Sequence, residues 1–511
     1  MSLFGNRLKH VTCRVWSSTG NAFTFPEVSS DNHERQDLLA RPNTGVCLSG
    51  GGTRSACCSI GQLRGLHALG LLRKTRYLSC VSGGSWAAVP FTYLPGDWND
   101  ETLLGMVMAP ENLSEDHLKD LDRNSFLYAV ADSVIIDDFL KNAARFAGDE
   151  TYARAIGDIF LNRFGLDSLK RFFGFNASTV DSALARNPNA RRSDFYTVRS
   201  GRPYLIVGAT ILRLSNDVEL PDKIQIEMTP MYTGVFPVHT RAGSGGQNIG
   251  GGYIESFAFD SDAPEQKPNA NGEVSVRLGA SRHRFTLSDV IGTSGASPTE
   301  TLDRLGLDWV GFPEFKYWPI AKARAKSLKA REYEFGDGGA LENLGVMPML
   351  LRKVGQMVIF VNTKHRLNGP DDINDSIPPL FGLRFPTNQV FPEDRYVPLV
   401  DALMARKATG ETVMHRETYP VRDNALYGVE GGWEVDVLWV YNERVSAWEQ
   451  KLPQSIRSMI GTGSLGNFPH YKTFFQNPPA LIDLSAKQAS LLAHLSCWNV
   501  LENADEFRDF L

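Results

Sequence analysis

Gly45-Val46-Cys47-Leu48-Ser49-Gly50-Gly51-Gly52-Thr53-Arg54 is the stretch on which the reading of this chain turns. The apolar run at 45–49 predicts a short buried strand, and three successive glycines follow it. From 53 to 72, apolar Ala56, Ile60, Leu63, Leu66 and Leu69 recur at spacings of three and four, which predicts a helix. The unit then repeats. Tyr77–Val81 predicts a second strand, Ser82-Gly83-Gly84 a second glycine turn, and 85–93 the start of a second helix. Strand, glycine turn, helix, twice over, is the pattern of an α/β sheet with its site at the strand ends.

Outward from these units the signal thins. Residues 1–43 are polar without clear periodicity and read as leader and loop. Residues 115–175 carry helical spacing (Phe126, Val130, Val134, Phe139, then Tyr152, Ile156, Phe160, Phe164) and end in Phe172-Phe173-Gly174-Phe175. Strand-like runs return at 204–207 and 224–228. The glycine-rich stretch 242–252 reads as a loop, and a helix is expected near 287–291. A short alternating run at 332–335 leads into Asp337-Gly338-Gly339. A helix at 346–353, a strand at 357–361, a strand at 435–441 and a terminal helix from 485 to about Asn499 complete the chain. The expected fold class is α/β, a central, mainly parallel sheet flanked by helices. Residues 44–511 are expected to form a single catalytic domain, with a helical, lid-like insertion at about 115–175.

Composition sets the outer bounds. Of 511 residues, 42% are hydrophobic and 22% charged, so the chain can bury a core and is not disordered. A net charge of −5 argues against a nucleic-acid partner. Six cysteines, two of them adjacent (Cys57, Cys58), form no disulfide framework and no zinc spacing. A reducing, cytoplasmic setting is expected, with no metal and no cofactor. No secretory signal is evident, and no run reaches ~18 apolar residues, so membrane contact is expected to be peripheral.

The glycine turns suggest a serine hydrolase. Ser82 is the expected nucleophile: a serine at a strand-to-helix turn projects its hydroxyl, and a base must take its proton. Cys80 stands where a Gly-x-Ser-x-Gly elbow has its first glycine, while Gly84 supplies the second. A plain glycine-rich connection is the competing reading. Ser49 has similar flanks, but three glycines after it suit a donor loop better. Ser294, in Gly292-Thr293-Ser294-Gly295, reads as opening or capping a helix ahead of Pro298. Gly50, Gly51 and Gly52 offer successive N–H groups to an oxyanion. Arg54 is positioned to meet an anionic head group or to support the loop. A phosphate-binding loop is the rival, but the Gly-Lys-Ser/Thr ending is missing. Asp337 is the candidate general base, against a common Asp-Gly turn. His365, His415, His470 and His494 follow Asp337 in the order a triad requires, yet none sits in a distinctive motif, so a Ser–Asp dyad ranks above a triad.

These residues resemble the cytosolic phospholipase A2 family, related to fungal phospholipase B and more distantly to patatins. Ser-Gly-Gly-Gly-x-Arg at 49–54 resembles the family's oxyanion loop, and Val81-Ser82-Gly83-Gly84-Ser85-Trp86 its nucleophile turn. Asp337-Gly338-Gly339-Ala340-Leu341-Glu342-Asn343-Leu344 resembles its aspartate motif. Weaker likeness lies at 156–166, at Arg202-Pro203-Tyr204 and in the last helix. The resemblance implies a patatin-like fold and a Ser82–Asp337 dyad without histidine. It implies a lipid acyl hydrolase cleaving fatty acyl esters of phospholipids or lysophospholipids through an acyl-enzyme. By the same mapping Gly51 and Gly52 hold the oxyanion and Arg54 binds substrate phosphate or braces the loop. A lid over the site would lie at 120–175, with Phe172, Phe173 and Phe175 facing either membrane or core. The family's calcium-binding domain needs more than ~100 residues ahead of the core, against about 40 here, so no membrane-targeting domain is expected in 1–43. A soluble esterase or thioesterase with a Ser-His-Asp triad, and a catalytically silent lipid-binding module, are the alternatives.

Overall fold

The computed structural model describes residues 8–20, 23–29, 36–132, 151–212, 223–239, 248–279, 284–296, 313–320, 328–371, 376–472 and 484–511. Its strands are β1 (His10–Ser17), β2 (Thr44–Leu48), β3 (Tyr77–Val81), β4 (Phe172–Gly174), β5 (Phe195–Thr197), β6 (Tyr204–Leu212), β7 (Lys223–Met228) and β8 (Tyr232–His239). There follow β9 (Ile249–Glu255), β10 (Glu273–Arg277), β11 (Glu314–Tyr317), β12 (Arg331–Asp337), β13 (Gln356–Val361), β14 (Met414–Pro420) and β15 (Glu434–Tyr441). Among the described residues, thirteen of these form one sheet, in the order β10-β1-β9-β8-β7-β6-β3-β2-β13-β15-β14, with β11 and β12 joining beside β6.

The sheet is mixed. From β15 through β13, β2 and β3 to β6 every pairing is parallel, and the flanks beyond β6 and β15 are antiparallel. The expectation of a mainly parallel sheet therefore holds only for the centre. There β2 and β3 are buried along their whole length, because helices cover both faces, and such strands read as unbroken apolar runs. The flanks need no crossover helices; there β1 and β10 alternate between buried and more exposed positions, while β8 and β9 stay largely buried.

The helix Gly52–Ala68 lies against the C-terminal helix Ala486–Glu502. The helices approach so closely at Gly61 that an added Cβ would run into the carbonyl of Ala493. That contact fixes the helix whose first turn carries the glycine loop.

Three local expectations change. His10–Ser17, read as leader, is strand β1, paired with both β9 and β10. Residues 249–252, read as loop, begin β9. In the insertion, Glu115–Lys119, Phe126–Asp132 and Thr151–Phe160 are helical, but Phe172 and Phe173 belong to β4. Phe172, Phe173 and Phe175 are all buried, so this cluster is core and not a membrane face. Val134 and Phe139 lie outside the described residues. All six cysteines are buried and unpaired. Among the described residues no helix is long and apolar enough to cross a membrane.

Candidate active site

Strand β6 explains why residues 255 positions apart meet. β3 runs parallel to it and β12 antiparallel, both along the edge opposite β7. Their carboxyl ends therefore point at each other and stop on neighbouring rungs, Val81 opposite Gly208 and Asp337 opposite Ala209. Ser82, one residue beyond β3, and Asp337, the last of β12, face one another across this seam.

Ser82 lies at φ 50° and ψ −125°, at the N-terminus of the helix Gly83–Tyr93. This left-handed conformation is strained for a residue with a Cβ and aims the hydroxyl away from the helix axis. Its Oγ donates to Asp337 Oδ2 at 3.0 Å. The other oxygen, Oδ1, accepts the Gly339 N–H at 2.7 Å. Burial pushes the Asp337 carboxyl up to about 6, against the opposing hydrogen bonds from Gly339 and Ser82 and the more distant charge of Lys223. A carboxylate of that basicity is suited to exchange a proton with a hydroxyl near neutral pH.

The glycine loop packs directly on this turn. An added Cβ at Gly83 would collide with the carbonyl of Gly52, and one at Gly84 would lie 2.5 Å from that of Leu48. Gly51 and Gly52 take φ 140° and 61°. Gly50 does not contribute an open donor as expected: its N–H is bound to the Asn343 carbonyl at 2.8 Å. Of the two roles expected of Arg54, its surroundings fit support of the loop. Arg54 is 4% exposed and donates to the carbonyls of Asn362 at 3.1 Å and Tyr471 at 2.5 Å. Burial lowers its guanidinium to about 10. Its guanidinium packs directly beneath Gly51 of the loop.

The rival residues have other work. Ser49 is 1% exposed and its Oγ accepts the Asn362 N–H at 2.8 Å, beside a hydrogen-bonded cluster of Ser55, Ser59 and Gln62 around the Asn362 amide. Ser294 is fully buried and closes the helix Leu287–Ser294 where the sequence suggested it opens or caps one; Pro298 lies outside the described residues. Ser294 Oγ accepts the Ser82 N–H at 2.8 Å and donates to the Gly208 carbonyl at 2.7 Å. Among the described residues, no histidine hydrogen-bonds to Ser82 or Asp337. His470 is buried against Glu443, 3.0 Å away, His415 lies 3.7 Å from Glu417, and His494 is depressed to about 3 by burial.

Sequence reasoning did not find the supporting contacts of Ser294 and Asn343, and it missed Asn362 altogether. Ser294 carried a signal in its glycine-flanked setting and Asn343 in its place within the aspartate motif. A separate cavity of about 160 Å³, lined by Trp16, Phe173, Val180 and Glu255 among others, includes neither Ser82, Asp337 nor the glycine loop. No group of metal-ligating side chains is present among the described residues.

No protein-family model matches the chain. Cytosolic phospholipase A2 zeta of Mus musculus is 38% identical over 88 residues, 17% of this chain and 10% of that protein. Human GIVD cytosolic phospholipase A2 aligns over 95% of this chain at 12% identity and a TM-score of 0.44. Its complex with methyl gamma-linolenyl fluorophosphonate aligns over 95% at 13% identity and a TM-score of 0.42. The chain spans 61% and 60% of those two structures and a tenth of the mouse relative. Over the 88 residues that align in sequence, this chain is similar to a cytosolic phospholipase A2.

Proposed function

We propose that the protein is a lipid acyl hydrolase that cleaves fatty acyl esters of phospholipids or lysophospholipids. The observation that carries this reading is the Ser82 Oγ–Asp337 Oδ2 hydrogen bond of 3.0 Å at a strained strand-to-helix turn. Ser82 Oγ attacks the ester carbonyl carbon while its proton passes to Asp337. The tetrahedral oxyanion is held by the amides of Gly51 and Gly52, each such donor being worth ~3 kcal/mol in the transition state. The bond from carbon to the glycerol oxygen then breaks, and Asp337 returns the proton to that oxygen. Water attacks the acyl-enzyme, gives its proton to Asp337, and the carbon–Oγ bond breaks as Ser82 recovers it. Free fatty acid leaves.

The raised carboxyl of Asp337 supports its double role, since a base must also become an acid within one cycle. Burial of Arg54 supports a role in holding the loop, with head-group recognition left to other residues. The substrate is carried at a membrane surface or in a micelle, which the protein meets peripherally.

The test is release of fatty acid from phospholipid and lysophospholipid micelles, with fluorophosphonate labelling and peptide mapping. Label on the peptide containing Ser82, and no turnover by Ser82→Ala, is the expected result. Absence of both release and label in the parent protein rejects the proposal. Label elsewhere moves the nucleophile.

A further inference from the structure

We infer that Ser294 is a positioning residue for the nucleophile and that the segment Ile291–Ala296 sets serine and base in register. This rests on the reading of Ser82 and Asp337 as the catalytic pair. Four consecutive features of the segment point the same way. The Ile291 carbonyl accepts the Trp86 indole N–H at 3.1 Å, four residues beyond the nucleophile. Ser294 Oγ accepts the Ser82 N–H at 2.8 Å. The Gly295 carbonyl accepts the buried Tyr152 hydroxyl. The Ala296 carbonyl accepts the Asp337 N–H at 2.6 Å.

The nucleophile and the base are thus each tied, by their own backbone amide, to residues two apart on one short piece of chain. Gly295 between them has no room for a side chain, since an added Cβ would lie 2.6 Å from the Trp86 indole nitrogen.

Ser294 has a particular task within this clamp. A residue at positive φ with a Cβ persists only where its surroundings over-determine it. The Ser82 amide points into a buried region, where an unbonded N–H is costly. Ser294 satisfies it and passes its own hydroxyl hydrogen to the Gly208 carbonyl at 2.7 Å. Gly208 is the rung opposite Val81. The hydroxyl therefore closes a loop from the nucleophile's amide back to the strand that carries it, and locks the turn to β6. Alanine at 294 removes both bonds without changing the fold's apolar contacts.

The experiment compares the fluorophosphonate labelling rate constant, and kcat separately from KM, in the parent protein, Ser294→Ala and Ser294→Thr. Misplacement of a reacting group by about 1 Å can lower rates on the order of 100-fold. The expected result for Ser294→Ala is a fall of about 10- to 100-fold in labelling rate and kcat. KM should stay nearly constant, and Ser294→Thr, which keeps the hydroxyl, should recover most of the loss. Should alanine not fold, Ser294→Cys is read in the same way, because a thiol is a poor hydrogen-bonding partner. Parent-like labelling in a folded Ala or Cys variant overturns the inference, as does a loss that threonine fails to recover. A parent protein that is never labelled at Ser82 rejects the functional reading itself, a separate outcome.

Discussion

At Ser82 the backbone is held at φ 50°, where a Cβ is strained and glycine is not. Removing the hydroxyl and removing the Cβ are therefore separable. Ser82→Ala and Ser82→Gly should both be inactive, but the glycine variant should be the more stable of the two by about 1 kcal/mol. That figure is the relief of about 1–3 kcal/mol of strain less glycine's entropic cost of about 0.5–1 kcal/mol. Urea denaturation of the two variants checks this, and equal stability would mean the turn is not strained. Asp337 offers a second test. Its carboxyl is raised by burial from an ordinary value near 3.8 to about 6, so between about pH 4 and 6 the folded protein holds a proton there that the unfolded chain has released. Its contribution to stability is fully present below about pH 4 and lost as pH rises through about 6. Asp337→Asn should therefore be more stable than the parent at pH 8, by about 1–3 kcal/mol, with the gap closing below pH 4. Parent activity should fall on the acid side with an apparent pKa near 6. A pH series of melting curves and rates decides both.

Between elements, the decisive contact is the N-terminus of the helix Gly83–Tyr93 against the glycine loop. Because the atom in the way of a Cβ at Gly83 is the backbone oxygen of Gly52, no rotamer change relieves it. Gly83→Ala should destabilise by about 2–3 kcal/mol, and the surviving folded protein should label more slowly, since the glycine loop must shift. Thermal melts and labelling rates measure the two effects. The same contact shows why the site was legible in sequence: Ser82, Asp337 and the glycines are local motifs at strand ends, and the parallel strands are apolar runs. Other features were not legible. In β1, Val11, Cys13 and Val15 face inward and alternate with His10, Thr12 and Arg14, a true period of two that the charged residues disguised as leader. In β9, Gly250 and Gly252 mimic a loop, yet they are there because β8 and β1 come too close for side chains, with Gly252 against the Trp16 carbonyl. Gly50 and Arg54 were read from a motif that fixes position but not direction. Which way an amide or a guanidinium points depends on Asn343, Asn362 and Tyr471, hundreds of residues away. Ser294 was singled out, but its partner at 82 is a tertiary fact.

Across the whole molecule, one buried ion cluster joins the first thirty residues to the rest. Arg352 donates to Glu27 at 2.9 Å and to both oxygens of Glu227 at 3.1 and 2.7 Å, while the Tyr232 hydroxyl donates to Glu27 at 2.6 Å. The guanidinium also lies over the Phe25 ring at 4.2 Å. All three charged side chains are almost completely buried, one cation against two carboxylates. Such a cluster is weak evidence of net stabilisation as a whole, but removing one partner leaves uncompensated charge in a low-dielectric interior. Arg352→Met should therefore destabilise by about 3–5 kcal/mol at neutral pH. Adding Glu227→Gln to it should recover part of that loss, because the second change removes one of the two charges the first left unpaired. A double-mutant cycle read by denaturant unfolding gives the coupling directly. Additive losses would show that packing, and not charge, governs the site. The cluster also ties the dyad's support to the chain's first segment: Glu27 and β1 hold β8 and β9, these carry β7, and β7 flanks the strand on which Ser82 and Asp337 meet. The coupled variant should accordingly regain fluorophosphonate labelling at Ser82 in step with its regained stability, while labelling that stays low in the restabilised protein would place the cluster's influence on the turn itself.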